Sequence, residues 1–410
     1  MDGQPQDPGR RRVLQAGGAL VATAVTASAR PSTAQEGTNP FPWGVASFDP
    51  TADAVLIWTR VDPALGDPVP LTWAVAADEA LTDIIATGIV HAGRLTGHCV
   101  TVDATGLPPA TTWWYRFSAP DGTASAVGRT RTVPTEAVER LRLGVASCSR
   151  YASGGFAAYR ALAAHEVDLV VHVGDYIYED GRGGARAHEP STALVTVDQY
   201  RTRYAQHRLD PDLQALHARH PVVAVWDDHE VAGNAWREGA AEHDPEVHGP
   251  WIERLRAAGQ AHEEWLPGRT GRSEADGRLR AWRSLPLGGL AELVVLDTRT
   301  WGRDAQPTNP EDLADETPDA HRSMLGEDQM AFVASRLDPA QRPPWVVLAN
   351  QVMFHPMAVP VPMPSLADDA RDAGFLVDGD RAVNPDQWTA TPPPASGWPR
   401  PSAGPAAWWW

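Results

Sequence analysis

The stretch DLVVHVGDYIYE, residues 168–179, decides the fold. Its first half is an apolar run of strand length, and its second half is a turn that carries acidic and phenolic side chains. The same order returns at 222–230, VVAVWDDHE, where an apolar run leads into two aspartates, a histidine and a glutamate. Short apolar runs bounded by turn residues are typical of buried strands, so both segments predict strands that end in polar turns.

Working outward from these two segments, strand-like and helical runs alternate. Further strand-like runs lie at 141–147, 291–296 and 345–348, and apolar residues recur at helical spacing in 156–166 and 327–337. Alternation of this kind predicts an α/β layered domain. We place that domain at residues 136–388.

Polar side chains follow the carboxyl ends of the predicted strands. In open α/β sheets, ligands bind at that edge. Taken singly, an aspartate after a strand is usually a turn former, and a cysteine there is usually core. Together they supply the thiol, carboxylate, phenol, imidazole and amide groups that bind metals, and thiolate with phenolate favours iron beside harder cations. The residues concerned are Ser147-Cys148, the segment 174–178, the segment 227–230, Asp297 to Arg299, and Asn350-Gln351.

The N-terminal part has a different pattern. Strand-like runs at 55–60, 71–75, 99–102 and 113–117 are separated by turn residues. This spacing favours a small antiparallel β-sandwich, which we place at residues 36–135. Cys99 lies within one of these strands and is expected in the core.

The first 35 residues predict an export signal. Arg10, Arg11 and Arg12 precede a mild apolar stretch at 16–29 that ends in Ala27-Ser28-Ala29, a small-residue cleavage site. Paired arginines ahead of such a stretch are typical of a bacterial twin-arginine signal. The prediction is a secreted, periplasmic or cell-envelope protein that the twin-arginine translocase exports; a disordered basic start is the alternative.

Charge and cysteine content exclude some functions. The net charge of −17 argues against nucleic acid as the main partner, because binding to the phosphate backbone requires a basic face. Bound cations can still reverse the sign of the field locally, so phosphate esters remain possible substrates. Two cysteines in 410 residues do not make a disulfide scaffold. We expect a monomer.

Several of these segments resemble those of a known protein family. GDYIYE at 174–179 and WDDHE at 226–230, followed by Asn234, resemble the signature segments of the PhoD-like alkaline phosphatases, a family of calcineurin-like metallophosphoesterases. The resemblance extends over about residues 41–388. It implies a four-layer αββα metallophosphoesterase domain, preceded by an immunoglobulin- or fibronectin-like sandwich.

The resemblance also implies roles for individual residues. Cys148, Asp175 and Tyr178 would bind iron (Fe³⁺), and Asp175 would bridge to calcium or another divalent cation. Asp228 and Asn234 would be further ligands. His229 would protonate the leaving group, while Arg299 would act behind the ligands. The implied activity is hydrolysis of phosphate mono- or diesters by a metal-activated water.

The C-terminal part departs from the family. No Gly-Asp-x-His segment, which supplies late metal ligands in the family, occurs after Asn350. Residues 389–410 contain six prolines and four tryptophans, and Thr-Ala-Thr-Pro at 389–392 is what a one-base shift would make of an expected Asp-Gly-Tyr-Pro. We therefore expect an incomplete catalytic domain, a frameshifted tail and weak turnover. A native Pro/Trp-rich tail is the alternative.

Two other functions stay open at this stage. One is a non-catalytic secreted binding protein, in which the α/β domain is degenerate. The other is a phospholipase D-like hydrolase on the same scaffold. The loops at 181–196 and 304–322 would decide the substrate. Arg150 is a candidate phosphate contact, and His172 is expected to be a core histidine.

Overall fold

The computed structural model describes residues 39–309, 322–354, 358–360, 363–372, 375–378 and 381–388. The predicted signal at 1–35 and the predicted frameshifted tail at 389–410 lie outside the described residues.

Strands are numbered along the chain within these ranges. They are β1 Val45–Phe48, β2 Ala54–Arg60, β3 Val69–Ala76, β4 Ile84–Ala92, β5 Cys99–Thr105, β6 Thr112–Ser118, β7 Gly128–Arg131, β8 Leu143–Ala146, β9 Leu169–His172, β10 Pro221–Ala224, β11 Ala235–Trp236, β12 Gly239–Ala240, β13 Gly271–Arg272, β14 Leu279–Arg280, β15 Arg283–Leu287, β16 Ala291–Val295, β17 Trp345–Ala349, β18 Ala358–Pro360, β19 Leu376–Asp378 and β20 Arg381–Val383.

Some of the described helices begin at side-chain caps that the sequence supplies. Thr196 accepts from the N–H of Gln199, whose side chain bonds back to Thr196, and Asp210 caps the next helix directly before Pro211. None of the described helices combines the length and the apolar character of a membrane span. The helices are α1 Ala157–Ala164, α2 Val197–Arg208, α3 Pro211–Arg219, α4 Pro245–His248, α5 Trp251–Trp265, α6 Gly326–Arg336 and α7 Pro364–Asp372.

The main sheet has six strands in the order β5-β2-β1-β10-β9-β8. Strands β8, β9, β10 and β1 run parallel, and β2 and β5 add antiparallel neighbours. The register places Val171 beside Val145 on one side and beside Val223 on the other. The carboxyl ends of β8, β9 and β10 therefore meet at one edge, as the sequence predicts.

The N-terminal strands form part of this sheet. Strand β1 pairs in parallel with β10, so the hydrogen-bonded sheet continues across the boundary predicted near residue 135. A separate antiparallel sheet, β4-β3-β6-β7, shares a hydrophobic core with the main sheet. In that core, Val55 and Ile57 of β2 lie in one cluster with Leu71 of β3 and Tyr115 of β6. The sequence pattern did not predict this sheet continuity, because pairing partners are not visible in strand spacing.

A three-stranded sheet, β15-β16-β17, follows the main sheet along the chain. Leu293 and Val295 of β16 belong to the large core that also contains the main sheet, whereas Val294 packs with Val333 of α6. This alternation follows from the two-residue period of a strand. It leaves β16 buried on both faces, between the main core and α6. Mixed sheets with flanking helices confirm the predicted α/β class.

Candidate metal centre

The turn after β9 places Asp175 at the edge of the sheet. Gly174 has φ +98°, and a Cβ there would lie 2.4 Å from the backbone nitrogen of Asp227. Only glycine allows the turns after β9 and β10 to approach this closely. Asp175 itself has φ +55°, an uncommon conformation for a residue with a side chain.

Glu230 holds the two turns together. Its buried carboxylate accepts hydrogen bonds from the backbone N–H groups of Asp175 at 3.0 Å, Tyr176 at 2.6 Å and Asp227 at 2.8 Å. Burial raises the pKa of Glu230 to about 7, although these three bonds oppose the shift. One carboxylate thus fixes the backbone on both sides of the site.

Asp175, Asp228 and His229 come together, with ligand atoms within 4.8 Å of one another. Oδ1 of Asp175 is buried and has no hydrogen-bond partner among the described residues. Burial, and then the nearby charges of Asp228 and Glu230, raise the pKa of Asp175 to about 7. An orphaned carboxylate oxygen in such a place needs a positive partner.

Tyr178 contacts both Asp175 and His229. Its hydroxyl donates to Oδ2 of Asp175 at 3.0 Å, and its ring centroid lies 4.3 Å from that of His229. Burial, followed by the charge of Asp175, raises the pKa of Tyr178 above its ordinary value. Its phenol would ionise only if a cation displaced the proton.

Cys148 stands at the end of β8 and reaches the surface. Its φ is +57°, and its N–H donates to the carbonyl of Gly174 at 3.2 Å. Partial burial raises the pKa of Cys148 to about 11, with the charges of Asp175 and Asp227 adding to the shift. The clustered ligand atoms are those of Asp175, Asp228 and His229, and the Cys148 thiol is not among them. Cys99 is buried in the core, as the sequence predicts.

His229 is paired with Glu179. Nδ1 of the imidazole lies 2.7 Å from Oε2 of Glu179, whose other oxygen accepts the N–H of Gly233 at 2.6 Å. Burial alone would lower the pKa of His229, but the hydrogen bond and charge of Glu179 raise it to about 10. This pairing presents a protonated Nε2 toward the cluster.

Asp228 and Asn234 are joined across a tight turn. The N–H of Asn234, a residue with φ +54°, donates to Oδ2 of Asp228 at 2.5 Å. Burial would raise the pKa of Asp228, yet Arg299 and His229 outweigh it and hold that pKa below its ordinary value. Asp228 is therefore ionised and able to bind a cation.

Arg299 lies behind the cluster. It is 2% exposed, its Nε bonds Asp227, and its Nη2 lies 3.1 Å from Oδ1 of Asp228. Burial, reinforced by Asp228 and Asp175, raises the pKa of Asp227 despite this arginine.

The two later strand ends do not supply ligands. Asp297 accepts from Trp226 Nε1 at 3.1 Å and from two backbone N–H groups of its own turn. The Asn350 side chain accepts from Trp388, and Gln351 bonds Thr298 and the carbonyl of Leu296. The sequence predicts that all five strand ends meet at one site. In the structure these two strand ends have structural roles, because their polar side-chain atoms already have hydrogen-bond partners in the protein.

His172 is a core histidine, as predicted, whereas Arg150, a predicted phosphate contact, is paired with an aspartate. His172 is buried, its Nε2 lies 2.7 Å from the Tyr159 hydroxyl, and burial lowers its pKa to about 3, so it is a core histidine as predicted. Arg150 is held by both oxygens of Asp180, at 3.0 and 2.8 Å, with its guanidinium 5.0 Å from the Tyr178 ring centroid.

The cluster of Asp175, Asp228 and His229 could hold a cation. Cys148, Asp175 and Tyr178 offer sulfur, carboxylate and phenol, a set that suits iron. Asp175, Asp228 and Asn234 offer oxygens, which suit a hard divalent ion. Oδ1 of Asp175 is the orphaned atom that such ions would satisfy.

Family comparison decides the assignment. The family model "PhoD-like phosphatase" matches residues 143–393, and "PhoD-like phosphatase, N-terminal domain" matches residues 25–134. The chain belongs to the PhoD-like phosphatase family.

Two relatives support this membership in the PhoD-like family. Alkaline phosphatase D of Bacillus subtilis (strain 168) is 37% identical over 333 residues, 77% of this chain and 56% of the relative. The solved structure titled "Structure of PhoD" matches with a TM-score of 0.74 and 32% identity, over 86% of this chain and 67% of that one. The chain thus spans a little over half the length of the curated relative.

Two buried glutamates of the site had no predicted role. Glu179 closes the GDYIYE segment and Glu230 closes WDDHE, yet neither was given a role. The signal was present, because an acidic residue inside an otherwise apolar, buried turn needs partners. Only the fold shows that those partners are His229 and four backbone N–H groups.

Proposed function

We propose that this chain is an exported, metal-dependent phosphoesterase that hydrolyses phosphate mono- or diesters. The observation that carries the proposal is the buried, unpartnered Oδ1 of Asp175, within 4.8 Å of ligand atoms of Asp228 and His229. The family assignment supports the chemistry. The signal at 1–35, the twin-arginine route and the monomeric state belong to the same proposal. So do a 36–135 immunoglobulin-like sandwich and a 136–388 four-layer domain, which share the main sheet through the β1–β10 pairing.

We assign iron to a first position, which Cys148, Asp175 and Tyr178 would hold. We assign calcium to a second position, which Asp175, Asp228 and Asn234 would hold. When bound, the cations polarise the phosphoryl oxygens and lower the pKa of a water. Glu230 holds both turns, so the distance between the positions is set before any ligand arrives.

His229 supplies the proton for the leaving group. Glu179 fixes Nδ1 and raises the pKa of the imidazole, which favours its protonated form. Negative charge grows on the leaving oxygen in the transition state, and a placed proton donor typically accelerates such a step by ~10²–10⁴-fold. Tyr178 stacks on the imidazole and restricts its rotation.

Ester hydrolysis tests the proposal. Metal-loaded protein would be assayed with 4-nitrophenyl phosphate, bis(4-nitrophenyl) phosphate and phosphatidylcholine. We expect slow hydrolysis of a nitrophenyl ester and a loss of about 10²-fold in His229→Gln. His165→Gln, at an exposed histidine, is the matched control and should match the wild type. Hydrolysis of phosphatidylcholine alone would favour the phospholipase-like function, and no hydrolysis at all would favour the non-catalytic binding protein.

A further inference from the structure

Asp386 lies at the centre of a buried ion network behind the metal centre. Its Oδ1 accepts from Nη1 of Arg299 at 2.5 Å, and its Oδ2 accepts from Nη2 at 2.8 Å. That same Nη2 lies 3.1 Å from Oδ1 of Asp228. A bidentate pair of this kind fixes the plane of the guanidinium, and with it the direction from which Asp228 is held.

Asp386 is also connected to Asn234. Nε2 of Gln306 donates to Oδ1 of Asp386 at 3.0 Å and to the backbone carbonyl of Asn234 at 3.2 Å. Arg303 holds Asp386 from the other side, with Nη2 2.9 Å from Oδ1. One carboxylate thus reaches both proposed oxygen ligands of the second cation, each through one intervening side chain.

Charge gives the network a second effect. Arg299 faces Asp228 from behind and competes with a cation for its negative charge. Asp386 accepts two hydrogen bonds from the Arg299 guanidinium, and so neutralises part of its positive charge. Without Asp386, Asp227 and Asp228 would have to balance Arg299 between them.

Stability alone does not explain such a network. Buried ion pairs are often no more stabilising than apolar residues of similar volume, since desolvation offsets the attraction. Groups behind metal ligands, by contrast, orient the ligands and tune affinity. Asp386, Arg299 and Gln306 have the contacts expected of such groups.

We propose that Asp386 is a positioning residue for the second cation: through Arg299 and Gln306 it fixes Asp228 and Asn234 and sets how tightly that cation binds. The proposal rests on the proposed function, because it takes Asp228 and Asn234 as ligands. The first position, with Cys148 and Tyr178, lies outside the network and keeps its metal when Asp386 changes.

Calcium titration of the full chain tests the proposal. Isothermal titration would measure the calcium affinity of the iron-loaded protein, and elemental analysis its iron content. Asp386→Asn should weaken calcium binding by about 10–100-fold, the usual range for loss of a group behind a ligand, while iron content stays unchanged. Arg299→Lys keeps the positive charge but loses the planar pair of N–H donors, so it should also weaken calcium binding.

Two further variants make the test decisive. Gln306→Ala removes only the link to Asn234, and should give a smaller loss of calcium affinity; it decides the matter if Asp386→Asn does not fold. Asp103→Asn is the matched control, because it breaks a bidentate Asp–Arg pair, with both bonds 2.7 Å, far from the network. Calcium affinity within twofold of the wild type in both Asp386→Asn and Gln306→Ala overturns the positioning role alone. A wild-type protein that binds no second cation overturns the proposed metal centre together with it.

Discussion

Three residues of this centre adopt backbone conformations that residues with side chains take uncommonly. Cys148, Asp175 and Asn234 all have positive φ without being glycine. Each such residue costs of order 1–3 kcal/mol, and the surrounding structure must over-determine it. Glu230 supplies that over-determination at Asp175 by accepting the adjacent backbone N–H groups. The site is therefore fixed by backbone geometry as much as by its side chains.

Gly174 gives the prediction at this scale. Gly174→Ala should destabilise the protein by about 3 kcal/mol or more, because the new Cβ would lie 2.4 Å from the Asp227 backbone at φ +98°. Gly183→Ala is the control, since nothing lies within 4 Å of a Cβ there. Urea unfolding measures both variants. Equal stability of the two would mean that the turns after β9 and β10 do not approach as described.

Helix α5 shows how one element couples burial to pH. It buries His262, which lies 3.3 Å from the Tyr204 hydroxyl, and burial lowers the pKa of His262 to about 3. The folded protein therefore keeps this imidazole neutral, while the unfolded chain takes up a proton below its ordinary pKa of 6.5. Stability from this group is present above that pH and is lost as the pH falls toward 3.

His262→Gln should therefore flatten the acid limb of the stability curve. Below pH 6.5 the free energy of unfolding should fall less steeply in the variant than in the wild type, by up to about 1.4 kcal/mol per pH unit. Urea unfolding at pH 7, 6 and 5 measures the slope. His165→Gln, at an exposed histidine, should keep the wild-type slope. Parallel curves for wild type and His262→Gln would show that His262 is not the group responsible.

At the scale of the whole molecule, the N-terminal strands and the catalytic strands are one structure. Strand β1 pairs with β10, and Asp49, directly after β1, holds Arg283 of β15 with two bonds of 2.7 Å. Asp49 is fully buried, so this ion pair joins the first sheet to the three-stranded sheet. We expect the described body to unfold as one cooperative unit.

Asp49→Asn tests that unity. It leaves the buried Arg283 without its charge partner, which costs about 3–5 kcal/mol. Calorimetry should show one transition, shifted to lower temperature as a whole. Asp103→Asn removes an exposed pair and should cost at most about 1 kcal/mol. Two separate transitions, with only one moved by Asp49→Asn, would show that the two parts unfold independently.

The sequence was most informative where an apolar run of strand length is followed directly by residue types that bind metals. The strands at 168–173 and 222–226, and the site residues at their ends, could be predicted because apolar runs and ligand types are local features. Three features could not be predicted: the β1–β10 pairing, the contact of Asp386 with Arg299, and the hydrogen bond of Asn350 with Trp388. Each depends on partners more than 30 residues apart in the chain. Local pattern gives elements and candidate ligands; long-range contacts decide which of them meet.

Metal content of the wild type and Asp175→Asn tests the central claim most directly. Asp175 is the carboxylate common to both cation positions. Elemental analysis should find iron and a second divalent cation in the wild-type protein, and loss of both in Asp175→Asn, with Asp103→Asn unchanged. Equal metal content in wild type and Asp175→Asn, or none in the wild type, would contradict a metal centre built on Asp175.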